Sequence, residues 1–338
     1  MHTDTDPQKA TTASVSSARS VVYRDLDASS SEELAAVRHL LDEVSKADGV
    51  PAYGEAFLRA LDSESADSVG YVHMVAVEGD ELLGVVSMNS SYLCEIAVHP
   101  DHRRRGIGSE LLRILGRSLD GDQQLSVWSH GALPGAMEFA DHRQSRLVRE
   151  LLKMTVDCDP TREESAARRA DLLHSRDKSL AKIQDAGYRV LDYVESSAKF
   201  GGRVTDAEWL RVNNEAFAWH PEQGGWDMEK LLDARDVDWF DPNGVLLLWQ
   251  DEECVGFHWT KRPDGDPHGE VYVVCLADAA RGKGLGTPMT LQGMGYLLDN
   301  GARAIDLYVE GDNVPAVATY EKLGFTVAHR DVVFRGIL

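Results

Sequence analysis

The chain has 338 residues, and its 56 acidic against 35 basic residues give a formal net charge of −21. This length predicts two domains, each large enough to bury a core of its own. The acidic balance argues against nucleic acid or an anionic membrane surface as the main partner, and it favours a neutral or cationic small molecule.

Cysteine usage and hydropathy predict a cytoplasmic protein. The four cysteines, Cys94, Cys158, Cys254 and Cys275, have no paired spacing, so neither a zinc site nor a disulfide framework is expected. The polar residues 1–20 lack the apolar segment of a signal peptide and are expected to form a disordered tail. No apolar run reaches the ~18 residues of a membrane helix.

The first half of the chain predicts helices and strands around one mixed sheet, an α+β domain. Ser30 and Glu33 resemble a capping box before an amphipathic helix with Leu34, Val37, Leu40, Leu41 and Val44 on one face. Further helices are expected at 53–61, 109–117 and near 133–141. Strands are expected at 21–24, 69–77, 82–88, 94–98, 125–128 and near 151–156.

The second half repeats this organisation after a charged helical linker at 160–186. Thr205 and Glu208 predict a capping box for a helix at 205–217, and another helix is expected at 315–323. Strands are expected at 188–193, 245–249, 255–259, 270–276, 305–309 and near 325–333. We therefore expect domains at 21–159 and 187–338.

A glycine-rich connection between a strand and a helix occurs twice, at Arg103–Gly108 and Arg281–Gly286, each reading R-x-x-G-x-G. Glycines let an anion approach the backbone, and amides at a helix N-terminus favour phosphate. A dinucleotide fingerprint fails because Met289 occupies the third glycine position. A nucleoside-triphosphate loop fails because Ala277 and Gly284 replace the required Gly and Ser or Thr. Two copies in one context favour phosphate binding over a plain surface turn.

This double pattern resembles the GNAT acetyltransferase superfamily, whose loop carries Q or R-x-x-G-x-G or A. The resemblance covers 21–338 as two tandem domains and implies acetyl-coenzyme A between splayed strands. Its pyrophosphate would lie on the loop amides and its thioester against the preceding strand. LYVEGDNVPAVATYEKLGF at 307–325 adds the signature of the pantetheine arm. The first domain lacks such an ending, so the resemblance implies one competent active site, in the second domain.

The resemblance implies coenzyme contacts in both copies. In the second domain these are Val274, Cys275, Leu276, Arg281, Gly282, Lys283, Gly284, Leu285, Gly286, Thr287, Asn313, Val314, Pro315, Ala316, Val317 and Ala318. In the first they are Ile96, Ala97, Val98, Arg104, Arg105, Gly106, Ile107, Gly108 and Ser109. No side-chain nucleophile is needed, so Cys275 is expected to be a core residue rather than an acyl carrier.

Three stretches resemble the mycothiol synthase family: VNNEAFAWHPEQGGW at 212–226, GFHWTK at 256–261 and GEVYVVCL at 269–276. That family acetylates the cysteinyl α-amine of a glucosaminyl-inositol conjugate, the last step of mycothiol biosynthesis, in an actinobacterial cytoplasm. The resemblance implies Glu270 as general base and Tyr320 as general acid. An α-amine is mostly protonated near neutral pH, so it must lose a proton before it can attack a thioester.

The resemblance also implies five substrate contacts: Glu55, reaching across the domain interface, Glu222, Lys261, Glu270 and Tyr308. His220 and His258 have no further ligand at metal spacing, so no metal is expected. A monomer is expected. Two alternatives stay open: an acetyltransferase for another small amine, and a non-catalytic acyl-coenzyme A sensor.

Overall fold

A computed structural model describes residues 20–61, 70–117, 119, 123–218 and 223–336. These residues form two compact units: unit 1 runs to Val148 and also takes the chain from Val332, and unit 2 is Arg149–Asp331. The tail expected at 1–20 lies outside the described residues, except for Ser20. These boundaries differ from the ones expected from the sequence. Residues 149–159, expected in the first domain, belong to unit 2, and the chain from Val332, expected in the second domain, belongs to unit 1.

Unit 1 contains five consecutive strands and four helices among its described residues. They are β1 (Val22–Asp25), α1 (Ser31–Asp48), α2 (Glu55–Ala60), β2 (Val72–Glu78), β3 (Glu81–Met88), β4 (Leu93–Val98), α3 (Ile107–Gly116), β5 (Ser126–Ser129) and α4 (Pro134–His142). The sheet order follows the chain and is antiparallel up to β4, while β4 and β5 are parallel. Residues 332–335 pair antiparallel with β5.

The structure confirms Ser30 as the N-cap of α1, while the Glu33 carboxylate accepts from Arg24. The Ser30 hydroxyl accepts a hydrogen bond from the Glu33 N–H at 3.2 Å. The apolar stripe predicted from the sequence is buried against β2, β3 and β4 residues. Val37, Leu40, Leu41 and Val44 are buried, and Leu34, the first member of the predicted stripe, is half-buried. α3 buries Ile107, Leu111 and Leu115 in a separate cluster, so helices cover both faces of the sheet.

Unit 2 begins inside β6 (Arg146–Asp157), and the strand that ends the chain, β12 (Thr326–Arg335), crosses back at Val332. The elements between them are α5 (Glu163–Asp185), β7 (Tyr188–Asp192), α6 (Tyr193–Phe200), α7 (Gly202–Ala216), α8 (Met228–Arg235), β8 (Val245–Gln250), β9 (Glu253–Lys261), β10 (His268–Leu276), α9 (Gly286–Asp299), β11 (Ala304–Glu310) and α10 (Val314–Lys322). The sheet order is β6-β11-β10-β9-β8-β7, with β10 and β11 parallel.

The capping box expected at Thr205 and Glu208 in unit 2 was wrong. Thr205 does not cap a helix, because α7 begins earlier and the Thr205 hydroxyl donates to the Gly201 carbonyl within it. The capping box belongs instead to Asp192 and Glu195, which open α6, a helix that the sequence analysis missed along with α8. The helix expected at 160–186 forms as α5 and packs on α9, where Arg169 donates to the Ala302 carbonyl at 2.8 Å.

His258 in β9 is fully buried, and its Nδ1 lies 3.0 Å from the Met289 carbonyl of α9. The ring occupies the space beside Gly293, where an added Cβ would lie 2.2 Å from it. Burial lowers the pKa of His258 to about 4. This histidine is therefore a neutral core residue at physiological pH.

Replacing His258 should make the free energy of unfolding less sensitive to acid. The folded-state pKa lies below the unfolded value of about 6.5, so the unfolded chain binds more protons and stability falls as the pH drops from about 6.5 towards 4. Between pH 7 and pH 5, we expect the free energy of unfolding of His258→Asn to fall by on the order of 2 kcal/mol less than that of the wild type. Urea unfolding at the two pH values measures this.

The exposed His39 on α1 provides the control. His39→Asn should show the same acid loss as the wild type. An equal loss in His258→Asn would contradict the burial argument.

Candidate active site

The loop after β10 has the geometry of an anion cradle. A short 3₁₀ turn at Asp278–Ala280 follows the strand, and α9 starts at Gly286. Gly282 and Gly284 both have φ of 73°, a conformation that side chains disfavour. Arg281 Nε donates to the Leu276 carbonyl at 3.2 Å, which fixes the loop to the strand end. The loop amides thus lie at the N-terminus of a 14-residue helix, where phosphate is favoured.

β10 and β11 stop pairing before β10 reaches the glycine loop. Their parallel pairing runs from His268 and Ala304 to Val271 and Leu307, although β10 continues to Leu276. A bulge at Tyr272 shifts the register of β10 against β9 at the same point. Within the described residues, the backbone of 272–276 therefore has no pairing with β11. An open strand edge of this kind can bind an extended ligand through main-chain hydrogen bonds.

Unit 1 repeats this arrangement. β4 pairs with β5 only at Leu93 and Cys94 but continues to Val98, and Arg103 Nε donates to the Val98 carbonyl at 3.1 Å. Gly106 has φ of 82° at the start of α3. A cavity of about 1000 Å³ lies here, and Ile96–Val98 and the loop are part of its lining.

The loop arginines of unit 1 are paired with carboxylates. Arg103 bonds Asp48 through two contacts of 2.8 Å. Arg104 pairs with Glu138 at 3.1 Å and Arg105 with Glu78 at 2.8 Å. In unit 2, by comparison, Lys283 Nζ lies 3.3 Å from the Tyr188 hydroxyl and Arg281 pairs with Asp278.

Glu270 lies in a row of polar residues across three strands of unit 2. Its register partners are Lys261 on β9 and Asp306 on β11. Register partners project from the same face of a sheet, so the three side chains are neighbours. Lys261 Nζ lies 5.1 Å from the Trp239 ring and 5.6 Å from the Tyr272 ring. The row lies one residue before the strands part.

Asp306 is a buried carboxylate that the sequence analysis missed. It is 6% exposed and accepts a 2.5 Å hydrogen bond from the Thr155 hydroxyl. Lys153 Nζ lies 3.0 Å and His268 Nδ1 3.1 Å from its Oδ2. The sequence signal for a buried, paired carboxylate was an acidic residue between the apolar residues of a predicted strand, because carboxylates are rarely buried without partners.

Tyr320 belongs to α10, which Asn313 caps by accepting from the Ala316 N–H at 3.3 Å. The Tyr320 ring is half-buried and packs edge-on against Phe325 at 5.9 Å. Burial raises the pKa of Tyr320 above its usual value. The hydroxyl therefore carries its proton at neutral pH and can donate it.

Of the other predicted substrate contacts, the structure describes Tyr308 and Glu55 but not Glu222. Tyr308, two residues after Asp306 on β11, is 43% exposed, and Lys153 Nζ lies 5.9 Å from its ring. Glu55 is an exposed residue at the start of α2 in unit 1. Glu222 and His220 lie outside the described residues. Burial raises the pKa of Cys275, so its thiol is a poor nucleophile.

The part of the chain that the structure describes has neither a metal-binding cluster nor a membrane-spanning helix. No group of His, Cys, Asp and Glu there has an arrangement that could hold a metal ion. None of the described helices combines the length and apolar character needed to cross a bilayer.

The splayed strands and glycine loops are those of GNAT acetyltransferases. Residues 209–325 match the Acetyltransferase (GNAT) family model, and residues 68–139 match an Acetyltransferase (GNAT) domain model. Both halves of the chain are therefore GNAT domains, and the protein is an acetyl-coenzyme A-dependent N-acetyltransferase.

Proteins with similar sequences identify the family to which the chain belongs. The mycothiol acetyltransferase of Corynebacterium jeikeium is 46% identical, over 91% of this chain and 96% of its own length. That of Catenulispora acidiphila is 37% identical, over 90% and 95%. The chain belongs to the mycothiol acetyltransferase family.

Solved structures support the tandem fold. A GCN5-related N-acetyltransferase from Sphaerobacter thermophilus has a TM-score of 0.63 at 21% identity, covering 93% of this chain and 95% of its own. A tandem GNAT protein from the clavulanic acid biosynthesis pathway has a TM-score of 0.62 at 17% identity, covering 94% and 98%. At these identities the similarity concerns the fold alone.

Proposed function

We propose that this chain transfers acetyl from acetyl-coenzyme A to the cysteinyl α-amine of a glucosaminyl-inositol conjugate, the last step of mycothiol biosynthesis. The observation that carries the proposal is the similarity to mycothiol acetyltransferases over about nine-tenths of both chains. The row containing Glu270, placed just before the parted strands, supports amine chemistry at this position.

Acetyl-coenzyme A supplies the acetyl group as a thioester. In the proposal, the amides of Arg281–Gly286 bind its pyrophosphate, the edge at Val274–Leu276 binds its pantetheine arm, and α10 flanks that arm through 313–318. The loop, the open edge and the half-buried helix surface fit these roles. The predicted contacts at 96–98 and 104–109 form the equivalent set in unit 1, whose cavity supports coenzyme binding there.

Glu270 accepts a proton from the substrate ammonium, which frees the amine lone pair to attack the thioester carbonyl. Backbone N–H groups near Val274–Leu276 stabilise the oxyanion. Attack forms the C–N bond and moves the carbonyl electron pair onto oxygen, and the nitrogen passes its surplus proton to solvent. Collapse of this intermediate restores the carbonyl and breaks the C–S bond, and Tyr320 donates its proton to the departing thiolate. Glu222, Lys261 and Tyr308 bind the polar acceptor, and the Glu55 contact stays a prediction of the resemblance.

Unit 1 is proposed to bind the coenzyme without transferring its acetyl group. Tyr92 occupies the position relative to Arg103 that Glu270 occupies relative to Arg281. A tyrosine there does not supply the carboxylate that the proposed chemistry uses to take a proton from the ammonium.

The acceptor can be identified by incubating the protein and acetyl-coenzyme A with the cysteinyl conjugate or with generic amines. We expect mass spectrometry to show one acetyl group on the cysteinyl nitrogen of the conjugate, and little on aminoglycosides or peptides. Preferred acetylation of another amine would favour the first alternative. Saturable coenzyme binding without turnover would favour a sensor.

Removing the base should slow chemistry without weakening coenzyme binding. We expect Glu270→Ala to lower kcat/KM for the acceptor by about 10²–10⁴-fold near neutral pH, while calorimetry shows a nearly unchanged Kd for the coenzyme. Glu252→Ala, in the exposed turn before β9, serves as the control and should retain activity. Unchanged turnover in Glu270→Ala would refute the base assignment.

Removing the acid should change the alkaline side of the pH profile. Since the raised pKa keeps Tyr320 protonated below its usual value of 10.0, the wild-type rate should fall only above about pH 10 as that proton is lost. Tyr320→Phe should be slower, by about 10²-fold or more, and should lack this fall.

Burial also raises the pKa of Tyr23 in unit 1, so Tyr23→Phe is the matched control and should keep the wild-type profile. The acid assignment is wrong if Tyr320→Phe keeps the same alkaline limb as the wild type.

A further inference from the structure

Asp306 lies directly beside the proposed base in unit 2. Four residues are successive register partners across β6, β11, β10 and β9: Thr155, Asp306, Glu270 and Lys261. Register partners project from the same face, and neighbouring strands lie about 4.8 Å apart, so the two carboxylates are side by side. Neighbouring carboxylates repel each other when both are ionised. A negative charge on Asp306 therefore favours the protonated form of Glu270.

Lys153 on β6 carries the charge that offsets this repulsion. Its Nζ lies 3.0 Å from Asp306 Oδ2, and its side chain is 25% exposed. An ammonium group at this distance largely offsets the charge of the carboxylate, and partial burial limits screening by solvent. His268 Nδ1 lies 3.1 Å from the same oxygen, but the charge of a histidine depends on pH. Lys153 is therefore the permanent counter-charge of Asp306.

Other titratable groups face Glu270 from its own strand and from β9. Lys261 is its register partner on β9, and Lys261 Nζ lies 5.6 Å from the ring of Tyr272, two residues after Glu270. His268 lies two residues before Glu270, on the same face of β10. These groups remain when Lys153 or Asp306 is replaced. A change in the titration of Glu270 in such variants therefore reports the charge that was removed.

We propose that Asp306 and Lys153 act on the reaction through Glu270: the Asp306 charge strengthens the hold of Glu270 on a proton, and the Lys153 charge offsets that effect. The proposal rests on the proposed function, in which Glu270 takes a proton from the acceptor ammonium. Asp306 and Lys153 are positioning residues in this scheme, because they act by their charges and need not touch the acceptor.

The acid limb of the pH dependence of kcat/KM tests the role of Lys153, because this limb reports the titration of the base in the free enzyme. Lys153→Met removes the offsetting charge, so Glu270 should keep its proton to higher pH and the limb should move up by about one pH unit. Lys153→Arg keeps the charge and should keep the wild-type limb. An unmoved limb in Lys153→Met would overturn the proposal.

Asp306→Asn tests the other charge and should move the limb the opposite way, down by about one pH unit. The limb of the double variant, Lys153→Met with Asp306→Asn, should lie between those of the two single variants. General destabilisation does not explain opposite movements in two variants of one ion pair. Movement of both single variants in the same direction would contradict the proposal.

The ion pair between Arg149 and Glu310 provides a matched control, because it joins the same two strands, β6 and β11. Glu310 lies four residues after Asp306, about 13 Å along the strand, where screening leaves little interaction with Glu270. Arg149→Met should therefore move the acid limb by less than about 0.3 pH unit. A movement as large as that of Lys153→Met would count against the proposal.

Carbon-13 NMR gives a readout that needs no turnover. In protein labelled at the glutamate carboxyl carbons, the Glu270 signal is the one lost in Glu270→Gln. Its titration should move to higher pH in Lys153→Met and to lower pH in Asp306→Asn, and an unchanged titration in Lys153→Met would overturn the proposal. Failure of the proposed function shows separately, as absence of conjugate acetylation or as full turnover in Glu270→Ala, and the NMR titration still decides whether the two charges act on Glu270.

Discussion

The parting of two parallel strands is the constraint on which the rest of each unit depends. Once β10 leaves β11 after Val271, the backbone of its last residues must satisfy its hydrogen bonds in another way. The glycine loop that follows directs further amides towards the same gap at the start of α9. One local geometry therefore creates both a slot for an extended chain and a cradle for phosphate at its end. Unit 1 repeats it after Cys94.

Burial distinguishes the two carboxylates beside that slot. Asp306 is buried, and its oxygens are engaged by Thr155, Lys153 and His268. Glu270, its register partner, is only half-buried. A carboxylate whose lone pairs are engaged and which is shielded from solvent is poorly placed to take a proton from a substrate. The proposed mechanism accordingly uses the neighbouring, more accessible carboxylate of Glu270, the residue that the resemblance implies as the base.

The two units share backbone geometry but differ in side-chain chemistry. Arg103 and Arg281 make the same hydrogen bond to the end of the preceding strand. Beside that common feature, the buried Glu95 of unit 1 accepts a hydrogen bond from the Gly54 N–H and lies 3.2 Å from Nε2 of His130. Unit 2 has instead the row of Lys261, Glu270 and Asp306. A duplicated coenzyme cradle can thus be kept while the groups beside it take different roles, because the cradle is made mainly of backbone.

The sequence by itself determined the features that depend on neighbouring residues: the two R-x-x-G-x-G loops, the apolar strands before them, and the α1 helix with its Ser30 cap. It also placed Glu270 beside the second loop. It misplaced the α7 cap, because the Thr205 spacing fits a cap but the helix had already begun at Gly202. Only the tertiary structure decided the partners of Asp306 and of Glu95. Those contacts join strands and loops far apart in the chain, and no local pattern of φ, ψ or hydropathy specifies which distant residues the sheet brings together.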